Sequence, residues 1–415
     1  MRQIRYMENK DINTDTYYSL ESNVCYYSRI FPAIFTKAKG SCLFDISGKR
    51  YLDFFSGAGA LNYGHNNSLF KDKLISYIQS DGVTHSLDMM TEAKLKMMSN
   101  FQNLVLKKRD LDYKMQFTGP TGTDTVEAAL KLARKYTGRK NIIYFSNSYH
   151  GMSMGSLSIT PKKNRIGIPV GYTVELPFYK ENYDTNFALE TYLKTLDETE
   201  YPAAIVMETI QAEGGINVAS IEWLKYIQEL ANKYNILLVV DDVQVGVGRS
   251  GDFFSFERAE INPDMICLSK SISGYGLPLS LLLIKPHLDI WEPGEHTGTF
   301  RGINLAFITA NEALLHYWNN EEFSKRIKAL SNIFKEKLSQ IVESRFFSLY
   351  GLGLIYGIDI HDSERASKIR KKAFDNGLIL ETCGPTRSVI KMIPPLTINV
   401  EEIEEGLDIF RKSLS

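Results

Sequence analysis

The run from Ile236 to Gly251, ILLVVDDVQVGVGRSG, constrains the fold more than any other stretch of the chain. Its first five residues, Ile236 to Val240, are apolar and β-prone. They read as a strand buried on both faces, which requires a sheet with helices packed on either side. The strand runs directly into Asp241 and Asp242 and then into a glycine-punctuated loop. Two carboxylates therefore stand at the C-terminal end of a central strand, the edge at which open α/β sheets bind ligands.

A second apolar run, Met265 to Leu268, ends in Ser269-Lys270-Ser271 and a glycine-rich turn. A carboxylate at one strand end and a lysine at another are the two groups that pyridoxal phosphate chemistry needs. The acid keeps the pyridine nitrogen protonated, and the lysine forms the Schiff base. Further strands fall at Met115–Thr118, Asn141–Ser146 and Ala203–Met207, interleaved with helical patterns at Thr125–Tyr136 and Ile221–Tyr234. Strand and helix alternate, with polar turns always on one side, and this order predicts an α/β fold whose large domain has a mainly parallel central sheet covered by helices.

The turns carry the remaining candidates. Gly119-Pro-Thr-Gly-Thr-Asp124 feeds a helix, so its N–H groups could hold a phosphate or could simply be capped by Thr and Asp. Tyr149 could stack on a planar ring, whereas His150 reads as a structural hydrogen-bonding residue. Phe54 to His65 is rich in glycine and suits either tight packing or a close backbone approach to a ligand. Helical patterns from Ser68, through Ile75 and Ile78, and over Leu87–Leu106, with Leu95, Met97, Met98 and Leu104, are expected to face the core. Cys42–Ser47 and Lys49–Asp53 flank a turn and predict a hairpin. The expected organisation is an N-terminal arm or part of a small domain over 1–60, a large domain over 61–310 and a smaller α+β domain over 311–415.

Lys plus Arg number 48 against 49 Asp plus Glu, so neither nucleic acid nor a membrane surface is an expected partner. Met1 to Lys10 are charged and show no secretory signal, and no apolar run is long enough to span a bilayer. Cys25, Cys42, Cys267 and Cys383 show no C-x-x-C spacing. No metal site or disulfide is expected, and a reducing cytoplasm fits.

Val239 to Gly251 together with Leu268-Ser-Lys270 resembles the signature of class III (ω-type) aminotransferases, PLP enzymes of fold type I. The resemblance implies that Asp241 pairs with the pyridine nitrogen, Gln244 lies near the 3-hydroxyl oxygen and Lys270 carries the cofactor. It implies Gly122 and Thr123 for the phosphate turn, Tyr149 for the stacking ring, and Thr299 for a phosphate contact across a homodimer interface. Asp242 departs from the family pattern, which has Glu there. Ser56–His65, Thr118–Thr123, Ser273–Pro278 and Gly298–Gly302 are similar to the diaminobutyrate:2-oxoglutarate transaminase branch, with Ile303 where Asn is expected. That branch moves an amino group from L-glutamate to L-aspartate 4-semialdehyde. Glu213 and Lys391 are the expected substrate gate, or else a plain ion pair; a lysine binds a carboxylate as a point charge where the family has the fork of an arginine. Other readings stay open at this point: a 4-aminobutyrate- or ornithine-type aminotransferase, a racemase or aminomutase on the same fold, or a non-catalytic binding protein.

Overall fold

A computed structural model of the chain describes residues 14–161, 166–167, 171–180, 185–343 and 345–415. The charged segment Met1–Lys10 and the start of the expected N-terminal arm lie outside the described residues.

A short meander, β1 (Phe35–Lys39), β2 (Cys42–Asp45) and β3 (Arg50–Asp53), opens the described chain. The predicted hairpin is β2–β3, turned at Ser47–Gly48, where Asp45 accepts from the backbone N–H of Ser47 and Lys49. The central sheet follows: β4 (Lys114–Phe117), β5 (Ile142–Phe145), β6 (Thr173–Leu176), β7 (Ala204–Met207), and, after a small hairpin of β8 (Ile210–Gln211) and β9 (Asn217–Val218), β10 (Leu237–Asp241), β11 (Met265–Leu268) and β12 (Leu281–Ile284). Its order is β4-β12-β11-β10-β7-β5-β6. All neighbours pair in parallel except β12, which runs antiparallel to both β11 and β4. The α/β fold with a mainly parallel sheet is therefore present.

Every residue of β5, β7, β10, β11 and β12 is buried, as the uninterrupted apolar runs require of strands covered on both faces. The edge strand β6 is largely half-buried and has no such run, and for that reason the sequence pattern does not reveal it. Helix Gly122–Thr137 packs Val126, Ala129, Leu130 and Ala133 inward. A Thr121/Asp124 capping box starts it and Gly138, at φ 68°, ends it.

C-terminal to helix Asn304–Tyr317 lie the helices Glu322–Val342, Ser363–Asp375 and Val400–Ser413 and a sheet of β13 (Ser348–Leu352), β14 (Ile355–Asp359), β16 (Glu381–Cys383) and β17 (Val389–Met392). β15 (Leu378–Ile379) instead pairs in parallel with β3, tying the first strands to the last part of the chain.

Two helical expectations are corrected. The pattern over Leu87–Leu106 is one helix only from Glu92 to Phe101, because Leu87 sits at φ 51° and Thr91 caps the start; a π turn over Gln102–Leu106 ends it. Ile78 and Leu95 are 60% and 64% exposed, so the core is met by Phe70, Leu74, Met97 and Phe101 instead. Apolar periodicity located these helices but did not distinguish a core face from an exposed one.

Candidate active site

The parallel register brings the strand ends together. Val240 lies beside Met207 and beside Ile266, so Glu208, Asp241 and Lys270 leave β7, β10 and β11 at one edge of the sheet. β5 delivers Tyr149 and His150 to the same edge, where the backbone N–H of Tyr149 donates to Glu208 Oε2 at 3.0 Å. Glu208 is buried and close to Asp241, and burial first, then that neighbouring charge, raise its pKa well above the usual range. The sequence reading left Glu208 as an unassigned polar strand end; its position directly after Met207, matching Asp241 after Val240, is the signal that marks it.

The two acids of the opening run separate cleanly. Asp241 Oδ1 accepts from the N–H of Val243 at 3.1 Å, and Oδ2 accepts from Nδ1 of His150 at 2.7 Å. Asp242 turns the other way, is fully buried, and accepts from the N–H of Ser255 at 3.0 Å. Burial pushes its pKa up to about 7, despite the Ser255 hydrogen bonds. Asp242 thus holds the loop after β10, while Asp241 faces the strand edge. His150, read as structural from sequence, is the residue that orients Asp241.

Lys270 sits at φ 51°, a left-handed backbone that side chains other than glycine avoid. Among the described residues, no hydrogen bond or ion pair reaches its Nζ. Burial lowers its pKa to about 8, against the raising influence of Glu213. A half-buried amine on a strained turn, with no such partner among the described residues, is able to act as a nucleophile or base.

At the start of helix Gly122–Thr137, a Cβ added to Gly122 would meet Val243 Cγ1 at 2.7 Å. Gly122 and Thr123 occupy the first two helical positions, whose N–H groups have no intrahelical acceptor, at the positive end of the helix dipole. Thr123 Oγ1 is shared with the hydroxyls of Ser153 and Ser156 at 2.6 and 2.5 Å. The N-cap of the turn and its anion-competent N–H groups therefore coexist, although the sequence presented them as alternatives.

The glycine-rich loop closes over this edge. Ser56, Gly57 and Ala58 have φ of 49°, 57° and 57°, a left-handed turn. Gln244 Nε2 donates to the carbonyl of Ala58 at 2.8 Å, Ser271 Oγ donates to the carbonyl of Gly59 at 2.7 Å, and the N–H of Asn62 donates back to Ser271 Oγ at 3.1 Å. The loop is thus fastened to the residues after Asp242 and Lys270.

On the far side, Gln244 also donates to Glu213 Oε1 at 3.2 Å, and the same oxygen pairs with Lys391. Lys391 is fully buried and pairs also with Glu381, at 2.9 Å. Burial alone would lower the pKa of Lys391, but the two carboxylates outweigh it and raise it well above the usual range. Lys391 and its neighbours conversely hold Glu213 below the usual carboxylate range in spite of its burial. Glu381, which the sequence reading missed, also accepts from Tyr27 Oη at 3.0 Å. Beside this cluster is a cavity of about 140 Å³ bordered by Asn147, Tyr149, Glu213, Thr382, Cys383 and Arg387.

Thr299 stands apart from these groups, exposed on a turn where its carbonyl accepts from His85 Nε2 at 2.6 Å. Ile303 makes a backbone bridge with His85 and precedes helix Asn304–Tyr317.

Comparison with known proteins gives the same picture. The family model for class-III aminotransferases matches residues 26–414. A diaminobutyrate–2-oxoglutarate transaminase of Oceanobacillus iheyensis is 51% identical over 405 residues, covering 95% of each chain. One from Halalkalibacterium halodurans is 50% identical, covering 98% of this chain and 97% of its own. Among solved structures, the ornithine aminotransferase of Toxoplasma gondii superposes with a TM-score of 0.84 at 27% identity, over 97% of this chain and 95% of that one.

Proposed function

The chain belongs to the class-III aminotransferases, and from that membership we propose that it transfers the amino group of L-glutamate to L-aspartate 4-semialdehyde, giving L-2,4-diaminobutyrate and 2-oxoglutarate. The observation that carries the reading is the convergence of Asp241, Lys270 and the Gly122 turn at one sheet edge, in a chain half identical over nearly its whole length to transaminases of that name.

Enzymes of this family use pyridoxal 5′-phosphate, which when bound supplies an electron sink for the carbon that loses its proton. The residues present fit it. The bare N–H groups of Gly122 and Thr123 would hold the phosphate, and the missing Cβ of Gly122 leaves room where Val243 would otherwise clash. Tyr149 would cover the ring, Gln244 would lie by the 3-hydroxyl oxygen, and Asp241, oriented by His150, would hold the proton on the pyridine nitrogen. Nζ of Lys270, unpartnered and deprotonated above about pH 8, would hold the cofactor covalently and, once displaced, carry the substrate proton. Glu213 and Lys391 would form the substrate gate, Lys391 meeting a carboxylate once Glu213 moves aside.

A homodimer is part of this reading. Thr299 would reach the partner's phosphate site. Met90 and Leu95, which flank a surface recess with Arg301, are 99% and 64% exposed and suit burial against a second copy. On the same reading, residues 61–310 form the cofactor-binding domain, and residues 1–60 and 311–415 supply the arm and the smaller domain, which β3 and β15 link. A reducing cytoplasm suits the buried free thiols of Cys42, Cys267 and Cys383.

The test is a panel of donors and acceptors with the PLP-loaded protein. Glutamate is expected to bleach the visible absorption of the bound cofactor, and aspartate semialdehyde to restore it faster than succinate semialdehyde or pyruvate. A preference for succinate semialdehyde would reassign the protein to 4-aminobutyrate chemistry. Failure of every amino donor to bleach the cofactor would overturn the transaminase assignment.

A further inference from the structure

Glu127 stands one helical turn after Thr123 in helix Gly122–Thr137, so the two side chains share a face. That face meets the tip of the loop that carries Tyr149 and His150. Glu127 Oε1 accepts from the hydroxyl of Ser153 at 2.5 Å and from the backbone N–H groups of Gly155 and Ser156 at 2.7 and 3.0 Å. Two glycines make room for the contact. A Cβ on Gly155 would collide with Glu127 Oε2, and one on Gly151, at φ 124°, would lie 2.5 Å from Thr123 Oγ1.

The loop has its own ties at its base. The N–H of Tyr149 donates to Glu208 and Nδ1 of His150 to Asp241, while Thr160 Oγ1 accepts from the N–H of His150 at 3.0 Å and donates to the carbonyl of Ser156 at 3.1 Å. The loop is therefore the fixed side, and the start of the helix is the side that is held.

Proton counting gives the hydroxyls a direction. A carboxylate only accepts and a serine hydroxyl has one proton, so Ser153 spends its proton on Glu127. The 2.6 Å contact between Thr123 and Ser153 is then donated by Thr123. The 2.5 Å contact between Thr123 and Ser156 is donated by Ser156, in preference to Ser153 Oγ at 3.0 Å and the Ser153 carbonyl at 3.1 Å, since otherwise two oxygens would meet with no proton between them. The chain runs from Ser156 to Thr123 to Ser153 to Glu127. Thr123 Oγ1 also accepts from the N–H of Ser153 at 3.4 Å, so its proton and both lone pairs are used. The turn is left with its bare N–H groups for an anion, and their aim depends on where Thr123 is held.

Resting on the cofactor reading above, we infer that Glu127 is a positioning residue for the cofactor phosphate, acting through Ser153 and Thr123. By taking the proton of Ser153 it sets the direction of the hydroxyl chain and locks the phosphate turn against the loop of Tyr149 and His150.

The experiment measures the dissociation constants of PLP and of pyridoxal, which lacks the phosphate, by fluorescence quenching of the full-length apoprotein. The wild type is expected to bind PLP more tightly than pyridoxal. Glu127→Leu is expected to raise the constant for PLP by about 10-fold, the worth of a hydrogen bond to a charged group, and to leave that for pyridoxal within about 2-fold. Glu127→Gln keeps a carbonyl oxygen for Ser153 and should recover most of the loss. Gly155→Ala, which drives a methyl group into the carboxylate, should reproduce the loss with Glu127 intact. Unchanged PLP binding in Glu127→Leu overturns the inference, as do equal losses for PLP and pyridoxal, which a general loosening of the fold would give, or equal losses in Glu127→Leu and Glu127→Gln. If Glu127→Leu does not fold, Gly155→Ala decides by the same comparison of PLP with pyridoxal. A wild type that binds PLP no more tightly than pyridoxal would instead defeat the cofactor reading on which the inference rests, a result distinct from all of these.

Discussion

Nδ1 of His150 lies 2.7 Å from Oδ2 of Asp241, with both side chains shielded from solvent. An ionised carboxylate only accepts, so the imidazole donates from Nδ1, and Asp241 is left with a fixed orientation and a full charge toward the sheet edge. On the proposed reading, the arrangement would position an acid for the ring nitrogen of the cofactor.

His150→Leu is therefore expected to lower kcat/KM for the glutamate half-reaction by about 10- to 100-fold, the worth of a hydrogen bond to a charged group. His150→Gln, which can donate from a similar place, should recover part of it. Stopped-flow bleaching of the cofactor absorption measures both, and equal losses in the two variants would mean that the donor is irrelevant.

Lys270→Gly separates chemistry from stability. It removes a half-buried amine that has no partner among the described residues and relieves a side chain at φ 51°. The apoprotein should be as stable as the wild type or more stable by about 1 kcal/mol, while the half-reaction is lost by more than about 1,000-fold. Urea unfolding and single-turnover kinetics check the two arms.

Asp242 carries a pH signature. Its folded pKa, about 7, stands above the unfolded carboxylate value, so the folded state holds a proton that the unfolded chain has already released. That contribution is fully present below about pH 4 and is lost as pH rises through about 7. Asp242→Asn keeps an acceptor for Ser255 and should flatten the fall in apoprotein stability between pH 4 and pH 7, as followed by thermal unfolding in a pH series.

Removing Lys391 takes the ion-pair partner away from the half-buried Glu213 and the buried Glu381. Lys391→Met should cost about 3–5 kcal/mol in urea unfolding, and adding Glu381→Gln to it should restore part of that loss. Additive losses in the double variant would show that the two side chains do not interact.

Met90→Asp, on the exposed recess beside Arg301, should shift the protein toward monomer in sedimentation and lower activity in proportion, because Thr299 would no longer reach a partner's site. A variant that stays dimeric would place the interface elsewhere.

Lys270 and Asp241 were legible in the sequence because each follows a short apolar run that reads as a buried strand, and the C-terminal ends of parallel strands meet at one sheet edge; Gly122 follows the part-buried edge strand β4 and was legible through the small-residue turn before its helix. Lys391 was legible only through the family resemblance. Glu381 and Tyr27 were not legible at all: they meet through the register of β16 against β17 and the packing of the N-terminal segment, contacts between distant parts of the chain with no local pattern. Ile78 and Leu95 misled for the opposite reason, since helical periodicity shows that a face is apolar but not what covers it.

The reversed strand β12 bears on how the protein comes to be assembled. Met265 pairs with Ile284 through a short connection, so the β11–β12 ribbon that carries Lys270 closes a small loop. Phe117 pairs with Leu281 only after most of the sheet's sequence has intervened, a far larger entropic loss. The ribbon bearing the amine is expected to form early and the strand leading into the phosphate turn to dock late. A chain stalled between the two would already display its nucleophile without the means to retain a phosphate, and free cofactor would stabilise only the finished enzyme.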